Sequence, residues 1–214
     1  MAIKGLIFDL DGVLVDTVPA HFAAWKRMFE EHGYTFGRAE YRRLVDGRPR
    51  YDGARAVMTR HSDSEVRIAA DSKNDYYVEM IEQGEFQVFE AAVNLVRKCQ
   101  SEGYGLAAAS SSANVRSVLE KAGLLDAFPV VIGGDDVANG KPNPDIFLAA
   151  ASGLGLAVEE CIVVEDSSSG VLAAKTGGFY CVGVRHDDHD EDLPGADRVV
   201  STLAEIDIDQ MEER

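Results

Sequence analysis

Three carboxylates, Asp9, Asp11 and Asp16, lie in the stretch Gly5-Leu-Ile-Phe-Asp-Leu-Asp-Gly-Val-Leu-Val-Asp-Thr17. Asp9 and Asp11 are two residues apart, so on extended backbone they point to the same side and can share one site. Two acids that close repel, and the pair persists cheaply only if a cation sits beside it or one acid holds a proton. A hard divalent ion such as Mg²⁺, which prefers oxygen ligands and keeps several waters, satisfies the first condition. The second condition gives a general acid. Together they suit a carboxylate nucleophile beside a proton donor, the arrangement that phosphoryl transfer through an aspartyl-phosphate requires. A strand ending in a solvated acidic turn explains an isolated D-x-D-G better, so the motif has to be weighed with the rest of the chain.

Other apolar runs also end in polar groups. Ala107-Ala-Ala109 gives way to Ser110-Ser111-Ser112, whose hydroxyls and backbone N–H groups before a helix suit a phosphate; for Ser111 or Ser112 alone an ordinary helix cap explains the residue equally well. After Ile132 the chain reaches Gly140-Lys-Pro-Asn-Pro144, in which Asn143 and Pro144 read as N-cap and first helical residue and hold Lys141 at the sheet edge. Cys161-Ile-Val-Val164 ends in Glu165-Asp166, two acids that are costly at the end of an apolar run unless they meet a cation. Glu165 and Asp166 are therefore expected to complete a metal site with Asp9.

The elements that position these groups follow from periodicity. The run into Asp9 is apolar on both faces, as in a strand buried in a parallel sheet, where ligands bind outside the carboxyl ends of the strands. Thr17 can cap a helix with Pro19 in its first turn, and Phe22, Trp25, Met28 and Phe29 recur at helical spacing. From Tyr34 to Gly84 the pattern stays helical and charged. Residues 16–85 are thus expected to form an all-helical insert, with 1–15 and 86–214 forming the core that carries the site. Beyond Val88, strands at 105–109, 129–132, 161–164 and 179–184 alternate with helices at 91–102, 114–122, 144–153 and 170–176. That alternation implies βαβ units and an α/β fold, a doubly wound parallel sheet with helices on both faces.

Composition narrows the partners. A chain of 214 residues, 46% hydrophobic, is long enough for one full core and a small second one. The net charge of −16 argues against nucleic acid and anionic membrane. Cys99, Cys161 and Cys181 show neither C-x-x-C nor zinc spacing and read as buried hydrophobes of a reducing compartment. The N-terminus has no leader pattern, so the cytoplasm is expected. Several motifs fail: Gly134 to Lys141 is one residue too long for a P-loop, Gly153-Leu-Gly155 lacks a third glycine, and the acidic stretch His186–Asp192 lacks calcium-loop spacing and reads as a solvated loop.

Asp9-x-Asp11-Gly-Val, Ser110, Lys141-Pro and Glu165-Asp166 resemble, in order and over nearly the whole chain, the four motifs of the haloacid dehalogenase superfamily. The resemblance implies a Rossmann-type core, Asp9 as nucleophile, Asp11 as general acid/base, Ser110 and Lys141 on the transferring phosphoryl group, and Mg²⁺ held among Asp9, Asp11, Glu165 and Asp166. The insert resembles the small helical cap of the first subclass, and within it the cap of the β-phosphoglucomutase branch. Asp16-Thr-Val-Pro-Ala-His21-Phe-Ala-Ala-Trp25 resembles the hinge and first cap helix of that branch, and Gly47-Arg-Pro-Arg50 its segment for a non-transferring phosphate. Lys73-Asn-Asp-Tyr-Tyr77 matches its cap lysine motif, while Ser111, Ser112 and Asn114 fall in its substrate-contacting stretch. A lysine usual between Ser112 and Asn114 is Ala113 here, and a usual Pro-Gly is Glu90-Ala91. The resemblance implies a monomeric Mg²⁺-dependent phosphotransferase for a sugar phosphate, interconverting β-D-glucose 1-phosphate and glucose 6-phosphate, with a sugar phosphatase as the alternative. A metal-free dehalogenase would leave Asp11 and Asp166 unused, and an idle binding protein would not need every acid intact.

Overall fold

The computed structural model describes residues 2–185 and 193–208, so the acidic stretch His186–Asp192 lies outside the described residues. The first strand, β1 (Gly5–Phe8), delivers the chain to Asp9, and a short β2 (Val15–Asp16) follows. Four helices come next: α1 (Val18–Glu31), α2 (Arg38–Leu44), α3 (Arg50–Val57) and α4 (Asp63–Glu82). β3 (Gln87–Val88) pairs antiparallel with β2, so the chain leaves the helical segment beside the point where it entered. Then come α5 (Glu90–Ser101), β4 (Gly105–Ala109), α6 (Val115–Lys121), β5 (Val130–Ile132), α7 (Asp145–Leu154), β6 (Cys161–Glu165), α8 (Ser168–Thr176), β7 (Tyr180–Val184) and β8 (Arg198–Val200).

Six strands form one parallel sheet in the order β5-β4-β1-β6-β7-β8. From β1 the chain builds outward in both directions, so the strand order reverses beside β1 and a crevice opens at its carboxyl end. Alternation decides which layer each side chain joins. Leu6, Phe8, Leu106, Ala108, Ile162 and Val164 face the layer containing α5 and α6, whereas Ile7, Ala107, Ala109, Cys161 and Val163 face α7 and α8. The helical segment has an apolar cluster of its own around Trp25, Met28, Phe29, Phe36 and Met58.

Most expected elements are present, with ends shifted by a residue or two. Asn143 and Pro144 are one position out: Pro144 is the N-cap of α7, and the Asn143 side chain donates to the Gly140 carbonyl instead. The pair β2 and β3 and the edge strand β8 were not expected, because two- and three-residue strands carry too little periodicity to register.

Candidate active site

The strand pairing sets two acids side by side. β1 and β6 run in register with Phe8 opposite Val164, and Asp9 N–H continues the ladder to the Val164 carbonyl at 2.9 Å. Asp9 and Glu165 follow that last pair, and by alternation both lie on the side of Ile7 and Val163, the layer of α7 and α8. Lys141 precedes α7 on that same side. Its ammonium donates to both Asp9 and Glu165, and all three side chains are buried. Burial opposes the Lys141 charge, but Asp9 and Glu165 outweigh it and hold the ammonium protonated well above its ordinary range. Burial pushes the Asp9 carboxyl up; Lys141 pulls it back, and Glu165 and Asp11 push it further, to about 8.

Glu165, expected among the metal ligands, is held by hydrogen donors beside Asp9. Its side chain is fully buried and engaged with hydrogen donors: one oxygen accepts from Lys141, the other from Ser167 N–H at 2.7 Å and Ser167 Oγ at 3.0 Å. Gly170 makes this burial possible, because a Cβ there would lie 1.8 Å from Glu165 Oε1. Asp166, the next residue, also borders the cavity. Asp166 forms no hydrogen bond or ion pair among the described residues, and burial, then Glu165, Asp9 and Asp46, raise its carboxyl well above the usual range. Gly12 closes over it at φ +83°, where a Cβ would come within 1.9 Å of Asp166 Oδ2.

The donor set around Asp9 and Asp166 fits a hard divalent cation. It consists of oxygen, and carboxylates outnumber the single Lys141 ammonium, so burial leaves uncompensated negative charge. Among the described residues no three His, Cys, Asp or Glu side chains form a preformed metal cage. An ion held by one or two carboxylates and water needs none.

Asp11 has a different environment. Its carboxylate accepts from Thr17 Oγ1, Ser110 Oγ at 3.1 Å and Tyr77 OH at 3.5 Å, with His21 Nε2 at 3.2 Å. Burial pushes Asp11 up, but His21 and the hydroxyls of Thr17 and Ser110 outweigh it and hold the group well below the carboxylate range. This shell of proton donors engages both oxygens of the Asp11 carboxylate. The His21 ring is stacked on Tyr77 at 3.9 Å, and its Nδ1 lies 2.7 Å from Lys73 Nζ. A lysine donating to Nδ1 leaves the neutral imidazole with its proton on Nε2, directed at Asp11. Burial and Lys73 both lower the basicity of His21, in keeping with that tautomer. Lys73 is itself brought down to about 7, first by burial and further by Arg50.

Helical spacing explains this relay. Thr17, His21 and Trp25 recur every four residues along α1, and Lys73 and Tyr77 do the same on α4. Thr17 sits at the N-cap of α1, yet its hydroxyl serves Asp11 rather than the helix. Lys73 Nζ lies 5.1 Å from the Trp25 ring centre and 4.9 Å from that of Tyr77.

A cavity of about 440 Å³ separates the helical cap from the strand ends. Asp9, Asp11, Ser110, Ser111, Ser112, Asn114, Lys141, Glu165 and Asp166 line it from the core, and His21, Trp25, Gly47, Arg50 and Lys73 from the cap. These candidate residues therefore border one space, whereas Asp16, in β2, does not. Besides the contacts of His21 and Tyr77 with Asp11, hydrogen bonds from Ser111 Oγ to the Gly47 carbonyl at 3.0 Å and from Asn114 Nδ2 to Asn74 Oδ1 at 2.8 Å join its two sides. Arg50 faces the cavity with Asp71 3.4 Å away.

Comparison with known proteins agrees with this arrangement. The family model of haloacid dehalogenase-like hydrolases matches residues 3–178. The chain belongs to the haloacid dehalogenase-like hydrolase family. Among curated members, it is 30% identical to a β-phosphoglucomutase of Bacillus subtilis over 98% of this chain and 94% of that one. It is 32% identical to hexitol phosphatase A of Escherichia coli over 96% and 94%. The crystal structure of a β-phosphoglucomutase from Clostridium difficile superposes with a TM-score of 0.89 at 28% identity, covering 99% of this chain and 96% of that one. The chain is thus an enzyme of the haloacid dehalogenase-like family whose relatives are mutases and phosphatases of phosphorylated carbohydrates.

Two members of the Asp11 shell were not singled out in the sequence. Tyr77 could have been found from its spacing to Lys73, and Thr17 from its spacing to His21. Asp71 carried no such signal, since an acid on a charged helix reads as a solvated side chain.

Proposed function

We propose that this protein is a Mg²⁺-dependent phosphotransferase that works through an aspartyl-phosphate on Asp9, and that its reaction is the interconversion of β-D-glucose 1-phosphate and glucose 6-phosphate. One observation carries the reading: Lys141 links Asp9 and Glu165 at a buried strand end, while Asp11, in a separate shell of proton donors, borders the same cavity.

Asp9 attacks phosphorus, and the bond to the leaving oxygen breaks as the Asp9 oxygen takes the phosphoryl group. Lys141, fixed by Glu165, offsets charge on the transferring group, and Ser110 orients it. Asp11, which its donors hold ionised at rest, first takes a proton from water as substrate binds, gives it to the leaving oxygen and later takes one from the acceptor hydroxyl. Arg50 holds the far phosphate of a bisphosphate intermediate, and closure of the cap over residues 16–85 excludes water. Asp9 and Asp166, with Asp11 and Glu165 beside them, would hold Mg²⁺, which supplies neutralisation of charge on the transferring oxygens when bound. Trp25, Gly47, Lys73, Ser111, Ser112 and Asn114 are assigned to contact the sugar or to hold the closed cavity. The three cysteines are free and buried, in keeping with a cytoplasmic enzyme, and a monomer is the proposed state.

A second reading, sugar-phosphate hydrolysis, has its own support. Arg50 already has Asp71 beside it, and a carboxylate there competes with a second phosphate. Supplying β-glucose 1-phosphate, a trace of the bisphosphate and Mg²⁺ to the purified protein, and following glucose 6-phosphate and free phosphate together, separates the two. The mutase reading expects glucose 6-phosphate to dominate and Asp9→Asn to be inactive. Dominant free phosphate replaces it with the hydrolase.

A further inference from the structure

A second cavity, of about 320 Å³, opens where α2 and the loop after it meet the start of α8. Three arginines line it from the cap, Arg42, Arg43 and Arg48, against one acid, Asp46. In a chain of net charge −16 this is a local reversal of sign: residues 38–55 contain six arginines and three acids. The Arg43 and Arg48 guanidinium groups have no hydrogen-bond or ion-pair partner among the described residues, so their donors are available to a ligand. The core side supplies Ser168 and Ser169 in the first turn of α8, with Leu172 one turn on and 54% exposed.

We propose that this cavity binds a phosphate dianion, either free inorganic phosphate or the phosphate of a small monoester. Planar guanidinium groups match phosphate oxygens in geometry as well as charge, and the start of α8 on the facing wall turns the positive end of its dipole toward a bound anion. Leu172 and Pro142 give the ester group of a monoester an apolar wall. The site is separate from Asp9 yet touches its cavity, because Asp46, Arg48 and Ser167 border both spaces. Since the arginines belong to the cap and the serines to the core, a dianion here ties the two together and favours the closed cavity. The proposal does not depend on which phosphate ester the catalytic site accepts.

The test is a titration of the Mg²⁺-loaded, ¹⁵N-labelled full chain with inorganic phosphate, and separately with phenylphosphonate, read at backbone amides. Ser110–Ser112 report on the catalytic cavity and Ser168–Leu172 on the second one. Two sets of shifts with different Kd values are expected. In Arg43→Glu, an exposed substitution, the Kd at α8 should rise by about tenfold or more while the Kd at Ser110–Ser112 stays unchanged, which also shows that the variant is folded. Arg42→Ala combined with Arg43→Ala should weaken the α8 site in the same way. Tighter phenylphosphonate binding assigns the site to monoesters, and tighter phosphate binding to the free ion. The proposal is overturned if the α8 amides do not respond to either ligand, if they respond only with the catalytic-site Kd, or if the second site survives Arg43→Glu at full affinity.

Discussion

His21 Nδ1 and Lys73 Nζ lie 2.7 Å apart, joining two cap helices in a contact that points the other ring nitrogen at Asp11 in the core. The cap is thereby connected to the group proposed to move protons. In His21→Ala the Asp11 carboxylate loses a donor, so its pKa rises and the acid limb of the pH–rate profile moves to higher pH. We expect kcat to fall about 10²-fold, in the range of general acid–base contributions, with a smaller change in KM. Unchanged profiles in His21→Ala would remove the relay from the mechanism.

Thr17→Val keeps the shape of the side chain and deletes one donor to Asp11. Hydrogen bonds to charged groups contribute about 1.5–3 kcal/mol, so kcat should fall about tenfold or more. Tyr77→Phe removes only a long contact and retains the stacked ring, and should cost less than Thr17→Val. Steady-state kinetics on the two variants side by side checks that order.

Metal binding should stabilise the protein most at high pH. The folded Asp9 carboxyl is pushed up to about 8 from an ordinary 3.8, and Asp166 is also raised. A carboxyl with a raised folded value favours the fold while protonated, and that contribution disappears as pH climbs from about 4 to about 8. Mg²⁺ binds the ionised form, so the increase in Tm on adding it should be larger at pH 8 than at pH 5. Asp166→Asn should shrink the increase at pH 8. An equal Tm increase at both pH values, or one that Asp166→Asn leaves intact, contradicts the proposed ligands.

Lys141→Met should destabilise the fold as well as abolish activity. It leaves Asp9 and Glu165 buried together without their cation, and breaking such a pair costs about 3–5 kcal/mol. Urea unfolding of the metal-free protein at pH 8 measures this, and the loss should be smaller at low pH, where the two acids take up protons.

The sheet, its parallel direction and the site at its carboxyl edge were legible because buried strands alternating with helices leave few other arrangements. Asp9, Ser110 and the pair Glu165-Asp166 were legible because each ends an apolar run, and Lys141 because Gly140-Lys-Pro-Asn-Pro144 sets it just before a helix. The Asp11 shell was harder to read, because Thr17 and Tyr77 have ordinary local explanations as a cap and a core aromatic. The edge strand β8, at Arg198–Val200, was too short for its pattern to separate from a loop.

The central claim is that Asp9 carries the phosphoryl group. Mixing the Mg²⁺-loaded protein with acetyl phosphate, quenching in acid and mapping peptides by mass spectrometry tests it directly. The account predicts a hydroxylamine-labile phosphoryl group on the peptide holding Asp9, absent from Asp9→Asn. A phosphoryl group on another residue, or full turnover of a sugar phosphate with none on Asp9, would contradict it.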